Sequence, residues 1–290
     1  MVRLVIKRGD LAYFLLDVPT STEISDLLNT VCDIFNGILK IHRICAEVSE
    51  LAKHGVMLPP NMQGLTEEQV TELKLKDEWG EKCIPSGGFV ECKDEIGRRN
   101  GKAPMDKMAD VLNRTVDEAK QLVSRDLVKR DICMSKETVR ECLMMLSGAV
   151  TIVYPMGLPP YDPIKLELDN EEDLSGTQAS NEVIPFEEAT IWFSGKEMLR
   201  GKPLSSYVGS NEKTKIVAKI SKKGAGAPAR EPVISEEQQR AMMSYYYKKQ
   251  EEWKQLEAND EDSYLDSAWA EPGQLKRQFH GLGDIKWGPR

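Results

Sequence analysis

Residues 191–220, IWFSGKEMLRGKPLSSYVGSNEKTKIVAKI, constrain the fold of this chain more than any other stretch. Two strand-like runs flank a turn-rich segment there. Gly195 and Gly201 suit reversed turns that need positive φ. Leu204 and Tyr207 are placed to plug a core beneath the loop, and Ile216, Ala218 and Ile220 alternate as a last strand. An isolated two-stranded unit is marginal in water, so the piece needs partners elsewhere. The chain offers them at its other end. VRLVIK (2–7) and LAYFLLD (11–17) are strand-like runs separated by Arg8-Gly9-Asp10, whose position between two apolar runs marks a hairpin turn rather than an adhesion tripeptide.

After this hairpin, Thr20 and Glu23 have capping-box spacing. Ile24, Leu27, Leu28, Val31, Ile34, Phe35 and Ile38 follow helical spacing, with Asn36-Gly37 as the expected stop. A second helix carries Ile41, Ile44, Cys45, Val48 and Leu51 on one face and runs to His54-Gly55. Between this opening and the closing sheet piece lie about 150 residues. LTEEQVTELKLK (65–76) reads as a short helix with acidic residues near its start, and 80–104 as a loop rich in Gly, Pro and charge. Helices are expected over about 104–129 and 135–147, the second capped by Ser135. VTIVYP (150–155) and IKLELD (164–169) read as strands, the latter by its alternation. Past Gly226, Ser235 and Gln238 cap a polar helix to about residue 258, with Met242, Tyr246, Trp253 and Leu256 on one stripe.

The composition excludes several classes of function. A net charge of −8 argues against a nucleic-acid binder, because neutralising phosphates needs a basic surface. No run approaches the roughly 20 apolar residues of a membrane span, and the first residues lack the marks of a signal peptide. The chain is therefore expected in the cytosol or nucleus, with Cys32, Cys45, Cys83, Cys92, Cys133 and Cys142 as reduced thiols. The closest pairs, Cys83 with Cys92 and Cys133 with Cys142, are spaced too widely for a zinc knuckle, so neither a metal nor another cofactor is expected. Gly97-Arg98-Arg99-Asn100-Gly101-Lys102-Ala103 lacks the spacing and the hydroxyl residue of a phosphate loop, and reads as a charged surface loop. No nucleophile elbow is present, and no cysteine has a histidine near it in sequence. No catalytic residue is assigned.

Residues 190–220 resemble the second half of ubiquitin: strand, Gly-Lys turn, short strand, Gly, then Leu-Ser-x-Tyr. Residues 2–37 resemble ubiquitin's opening hairpin and helix. The resemblance implies an α+β protein with a ubiquitin-like β-grasp core interrupted by a mainly helical insertion. The expected divisions are 1–55 for the first half of the core, 56–188 for the insertion with strands near 150–155 and 164–169, 189–222 for the second half, and 223–290 for a linker, helix and tail. Gly224-Ala225-Gly226 sits near the place of a conjugating diglycine, yet Ala225 interrupts it and 64 residues follow, so it reads as a linker.

LPPNMQGLTEEQ, LKLKDEWGEKC, IGRRNGKAP, VYPMGLPPYDPI, EDLSGTQA, GSNEKTKI, GAGAPAREP and the ending FHGLGDIKW closely resemble the Kurly family of cilia- and flagella-associated proteins. The resemblance spans essentially the whole chain. It implies a non-enzymatic protein required for motile cilia, supporting cytoplasmic assembly of axonemal dynein arms and linked to cilium orientation and polarity. Its partners would be assembly factors, chaperone machinery or dynein subunits, and its places the cytoplasm, the cilium or axoneme and the basal body region. A resident structural component of the axoneme, bound near dynein or doublet microtubules, is the competing reading.

Three features are candidates for partner binding. Trp192 alternates with the core-facing Ile191, as does the exposed apolar residue at the centre of ubiquitin's binding patch. Alternatively the insertion or the C-terminal helix covers it, which the usual burial of large aromatics favours. Tyr154 and Tyr161, stiffened by the prolines of VYPMGLPPYDP, either present a ridge or belong to a rigid connection. Trp269, Phe279 and Trp287 either pack back on the body or dock a partner.

Overall fold

A computed structural model describes residues 1–228 and 236–258 of the chain. The elements are β1 (Val2–Arg8), β2 (Leu11–Val18), α1 (Ile24–His54), α2 (Glu67–Glu72), α3 (Glu78–Lys82), β3 (Phe89–Glu91), β4 (Lys102–Pro104), α4 (Asp106–Leu122), α5 (Asp126–Lys129), α6 (Lys136–Val153), α7 (Pro163–Asp169), α8 (Gln178–Glu182), a 3₁₀ turn (Phe186–Glu188), β5 (Ala189–Phe193), β6 (Lys196–Glu197), α9 (Ser205–Val208), β7 (Lys215–Lys222) and α10 (Glu236–Ala258). The class is α+β, as the sequence indicated. The described residues fall into two units, divided at residue 230. In the second, α10 places Met242, Tyr246 and Trp253 along one stripe at the expected spacing.

The two halves of the core meet in one sheet. Its order is β2-β1-β7-β5-β6, with β1 antiparallel to β2 and parallel to β7, and β5 antiparallel to both β7 and β6. The parallel β1–β7 pair joins the first strand to the last, so the hairpin and the closing piece are halves of one element. Alternation directs Val2, Leu4, Ile6, Phe14, Leu16, Ile191, Ile216, Ala218 and Ile220 to one face, where all are buried in a common core with α1.

α1 differs from the expectation of two helices: it is a single helix of 31 residues, about 46 Å long. The supposed stop, Asn36-Gly37, lies in its middle and serves packing. The Asn36 side-chain amide donates to the Ile184 carbonyl (2.8 Å) and its oxygen accepts from the Ile184 amide (3.1 Å). Gly37 lets α6 approach so closely that an added Cβ would lie 2.5 Å from Val139 Cγ1. The expected Thr20–Glu23 capping box also gives way to a tertiary contact. Glu23 is the N-cap without a side-chain bond, while Ile24 N donates to Lys202 O, and the carbonyls of Thr20 and Thr22 accept from Ser205 and Leu204. The second half of the core supplies the cap.

Beyond the sheet, α1 packs against α4 and α6, which pack on each other. The run read as a strand at 150–155 is the end of α6. Leu146, Ala149, Val150 and Val153 form a buried helical stripe there, and this packing overrides the β-propensity of VTIV. Residues 164–169, also read as a strand, form α7. Asp162 accepts from Ile164 N at its N-cap, Pro163 opens its first turn, and Ile164 and Glu167 bury one face. The region 80–104 contains the β3–β4 hairpin rather than loop alone. α2 has the capping box built by Thr66 and Gln69, and Ser135 caps α6.

Candidate interaction surface

The closing hairpin sets up the surface opposite α1. Phe193 pairs with Lys196 across the two-residue turn Ser194-Gly195, in which both residues have positive φ, the geometry that matches strand twist. With Ile191 fixed inward, Thr190 and Trp192 point to the other face. Trp192 is half-buried. Its indole N–H donates to Thr190 Oγ1 at 3.3 Å, and that hydroxyl lies 2.9 Å from Ser221 Oγ. The indole is thus satisfied within the sheet and its ring is left to make apolar contact.

Register identifies its neighbours. Trp192 lies between Glu197 and Lys219, and Lys219 lies beside Lys7. The next row holds Val217, Val5 and Leu15 in line across three strands. Val217 is diagonal to Trp192, within reach of an aromatic ring. Exposure falls along this row from 38% at Val217 to 6% at Val5 and 0% at Leu15. The far edge of β2 is closed where Met134 N donates to Leu15 O (2.8 Å) beside Cys133, with α5 packed against the strand.

Ion pairs frame the strip. Arg3 meets Asp17 at 3.3 Å, Lys215 meets Asp131 at 2.6 Å, and Lys219 meets Asp10 at 3.7 Å. The hydrogen bond and charge of Lys215 hold the Asp131 carboxyl below its usual range. What stays accessible on this face is Trp192 and Val217 within a charged rim, an arrangement of the kind found at small protein interfaces. It offers apolar area and orienting polar groups. Sequence reasoning found Trp192 here but missed Val5, Leu15 and Val217. The signal was available: Val5 and Leu15 break the alternation of their strands, which marks apolar residues on both faces.

The tyrosines of VYPMGLPPYDP do not form the exposed ridge. Tyr154 is 1% exposed and belongs to the core, and Tyr161 is half-buried. The Tyr154 hydroxyl has no hydrogen-bond partner among the described residues, and burial pushes both phenols upward. Tyr154 follows directly on Val153, so the helical stripe of α6 carries it inward. What the loop exposes instead is Met156. Trp269, Phe279 and Trp287 lie outside the described residues.

The loop 97–103 holds a second departure. Arg99, expected on a charged surface, is 5% exposed. Its guanidinium donates to the Gly55 carbonyl (2.8 Å), the Glu47 carbonyl (3.2 Å) and Glu47 Oε2 (2.6 Å), and Nη1 lies 4.0 Å from Asp162 Oδ2. The Asp94 carboxylate accepts from Ile96, Arg98 and Arg99 N–H. Burial raises its pKa, but these three bonds outweigh that and hold it below the usual range. The donors a phosphate would need are already taken.

Among the described residues no group of three or more His, Cys, Asp or Glu is placed to hold a metal ion, and no helix is long and apolar enough to cross a membrane. The fold does join one pair that the sequence separated: His54 Nδ1 lies 3.8 Å from Cys92 Sγ.

Fold and surface together define a class: an α+β chain whose sheet packs α1 on one face and carries Trp192 and Val217 on the other. A family model described as cilia- and flagella-associated protein 298 matches residues 189–285. The chain is 59% identical to the cilia- and flagella-associated protein 298 of Danio rerio and 60% identical to that of Mus musculus, each over all 290 residues and the whole of the relative. It is 50% identical to the Drosophila melanogaster protein of the same name over 287 residues, 99% of each chain. The chain belongs to the cilia- and flagella-associated protein 298 family, for which Kurly is another name. Membership supports a cilium-related role. No solved structure matches the chain.

Proposed function

We propose that this chain is a non-enzymatic adaptor for the cytoplasmic assembly of axonemal dynein arms. Its core is read as a β-grasp fold, on the grounds of strand order, the parallel β1–β7 pair and the helix on one face. It holds dynein subunits or chaperone-associated factors through the open face of the sheet, before their transport to the cilium, and acts in the cytoplasm and basal body region. The observation that supports this reading best is the strip of Trp192 and Val217 within its ion-paired rim. A tryptophan at the centre of an interface contributes about 2 kcal/mol or more, roughly 30-fold in affinity.

Quantitative fractionation of ciliated cells tests the role. Co-purification from cytosol with dynein heavy chains and chaperones is the expected result. Retention in salt-washed axonemes with little cytosolic pool would overturn it and favour a resident axonemal component. Turnover of a nucleotide or ester by the pure protein, lost on a single substitution, would overturn the non-enzymatic part.

A further inference from the structure

The fold sorts the six cysteines sharply. Cys32, Cys45, Cys83 and Cys142 are buried and Cys133 is half-buried, whereas Cys92 is exposed. Burial is the first cause that pushes the thiols of all five others upward, Cys32 and Cys45 to about 11. These five are protected from reaction by both access and protonation.

Cys92 differs in its surroundings. It follows β3, and its amide donates to the Gly101 carbonyl (2.7 Å). Gly101 in turn donates its amide to the His54 carbonyl (2.9 Å). One residue therefore fixes the backbones of Cys92 and His54 relative to each other. The His54 ring lies against Cys92 with Nδ1 3.2 Å from the cysteine carbonyl oxygen and 3.8 Å from Sγ. In the tautomer that carries its proton on Nδ1, that N–H faces both the carbonyl oxygen and the sulfur. His54 also sits in the last turn of α1, where the helix dipole favours a cation. An imidazole N–H held against sulfur stabilises the thiolate, the nucleophilic form of cysteine.

We propose that Cys92 and His54 form a reactive thiol site, open to covalent modification by hydroperoxides. The Cys92 thiolate attacks the nearer oxygen of hydrogen peroxide. A sulfur–oxygen bond forms, the oxygen–oxygen bond breaks, and hydroxide leaves and takes a proton from solvent as water. Sulfur is oxidised by two electrons to the sulfenic acid, and peroxide is reduced by the same two. His54 is a positioning residue that stabilises the thiolate; sulfur alone bonds to the reagent. The site lies apart from the sheet face and is independent of the adaptor reading.

The test uses the full chain and iodoacetamide, which is attacked at carbon with loss of iodide, with each cysteine followed by peptide mass spectrometry. Cys92 is expected to alkylate about tenfold faster at neutral pH than N-acetylcysteine. His54→Gln should slow Cys92 about tenfold while Cys133 and the melting temperature stay unchanged. A merely structural histidine would leave Cys92 unchanged or faster when replaced. Dilute hydrogen peroxide followed by dimedone should tag Cys92 and spare the other five. A Cys92 rate no greater than that of N-acetylcysteine overturns the proposal by itself, even where His54→Gln fails to fold. An unchanged or raised Cys92 rate in a folded His54→Gln protein overturns it as well.

Discussion

Arg99→Met is the substitution that probes most of the architecture at one position. Methionine keeps the volume and stem of arginine but removes every donor. The carbonyls of Gly55 and Glu47 and the Glu47 carboxylate lose partners at 2.8, 3.2 and 2.6 Å. Asp162, fully buried, loses the cation 4.0 Å from its carboxylate and keeps the amides of Met57 and Ile164. Breaking a buried pair by removing one partner costs about 3–5 kcal/mol, because an uncompensated charge stays inside. For a unit of this size that lowers the melting temperature by roughly 6–20 °C.

The loss should depend on pH. Burial already holds the Asp162 pKa above its ordinary value, against the lowering effect of Arg99. Removing Arg99 raises it further. Where the folded pKa exceeds the unfolded one, the native state binds more protons in the window between them, so stability falls as pH rises through that window. Arg99→Met should therefore cost less at pH 5 than at pH 8. Adding Asp162→Asn, which removes the buried charge and keeps a side-chain acceptor, should recover part of the loss. Denaturant unfolding of the wild type and the two variants at both pH values measures all of this. A cost of Arg99→Met below about 1 kcal/mol, as for an exposed pair, or one that grows on acidification, would refute the reasoning.

Other substitutions have equally direct outcomes. Asn36→Ala removes two reciprocal bonds to Ile184 and should cost about 1–3 kcal/mol, with faster proteolytic cleavage between residues 171 and 183. Gly37→Ala sets a helix-propensity gain of about 1 kcal/mol against an overpacking cost of about 1–3 kcal/mol from Val139. It should destabilise in the native background and stabilise beside Val139→Ala, as a double-mutant cycle of melting curves would show. Tyr154→Phe deletes a buried hydroxyl without a hydrogen-bond partner, so denaturant unfolding should find it neutral or stabilising by up to about 1 kcal/mol.

Where local pattern and tertiary demand agreed, the sequence was readable. Apolar runs in 2–17 and alternation in 215–220 located the strands that share a core, and Ser135 capped the helix that follows it. It misled where one signal serves two purposes. Asn36-Gly37 has the chemistry of a helix stop, yet the same small polar pair permits a close helix crossing and grips a distant backbone. VTIV is β-prone in isolation and becomes helix because α1 and α4 bury its stripe. Asp162-Pro163 was a legible start to α7, overshadowed by the alternation that follows. Trp192 could be placed by alternation alone, whereas the line Val217–Val5–Leu15 exists only once β7 lies parallel to β1. The His54–Cys92 pair, 38 residues apart in sequence, needed the β3–β4 hairpin to fold back on the end of α1.

The central claim is that the open sheet face holds the partner. It is tested most directly by quantitative co-purification from the cytosol of ciliated cells, with wild-type protein beside Trp192→Ala and Val217→Asp. Both positions lie on the outer face and outside the core shared with α1. Melting temperatures checked in parallel separate binding from folding. The account predicts that wild-type protein recovers dynein heavy chains and chaperones, and that both variants lose at least tenfold of that recovery while remaining folded. Undiminished recovery by folded Trp192→Ala and Val217→Asp would contradict it.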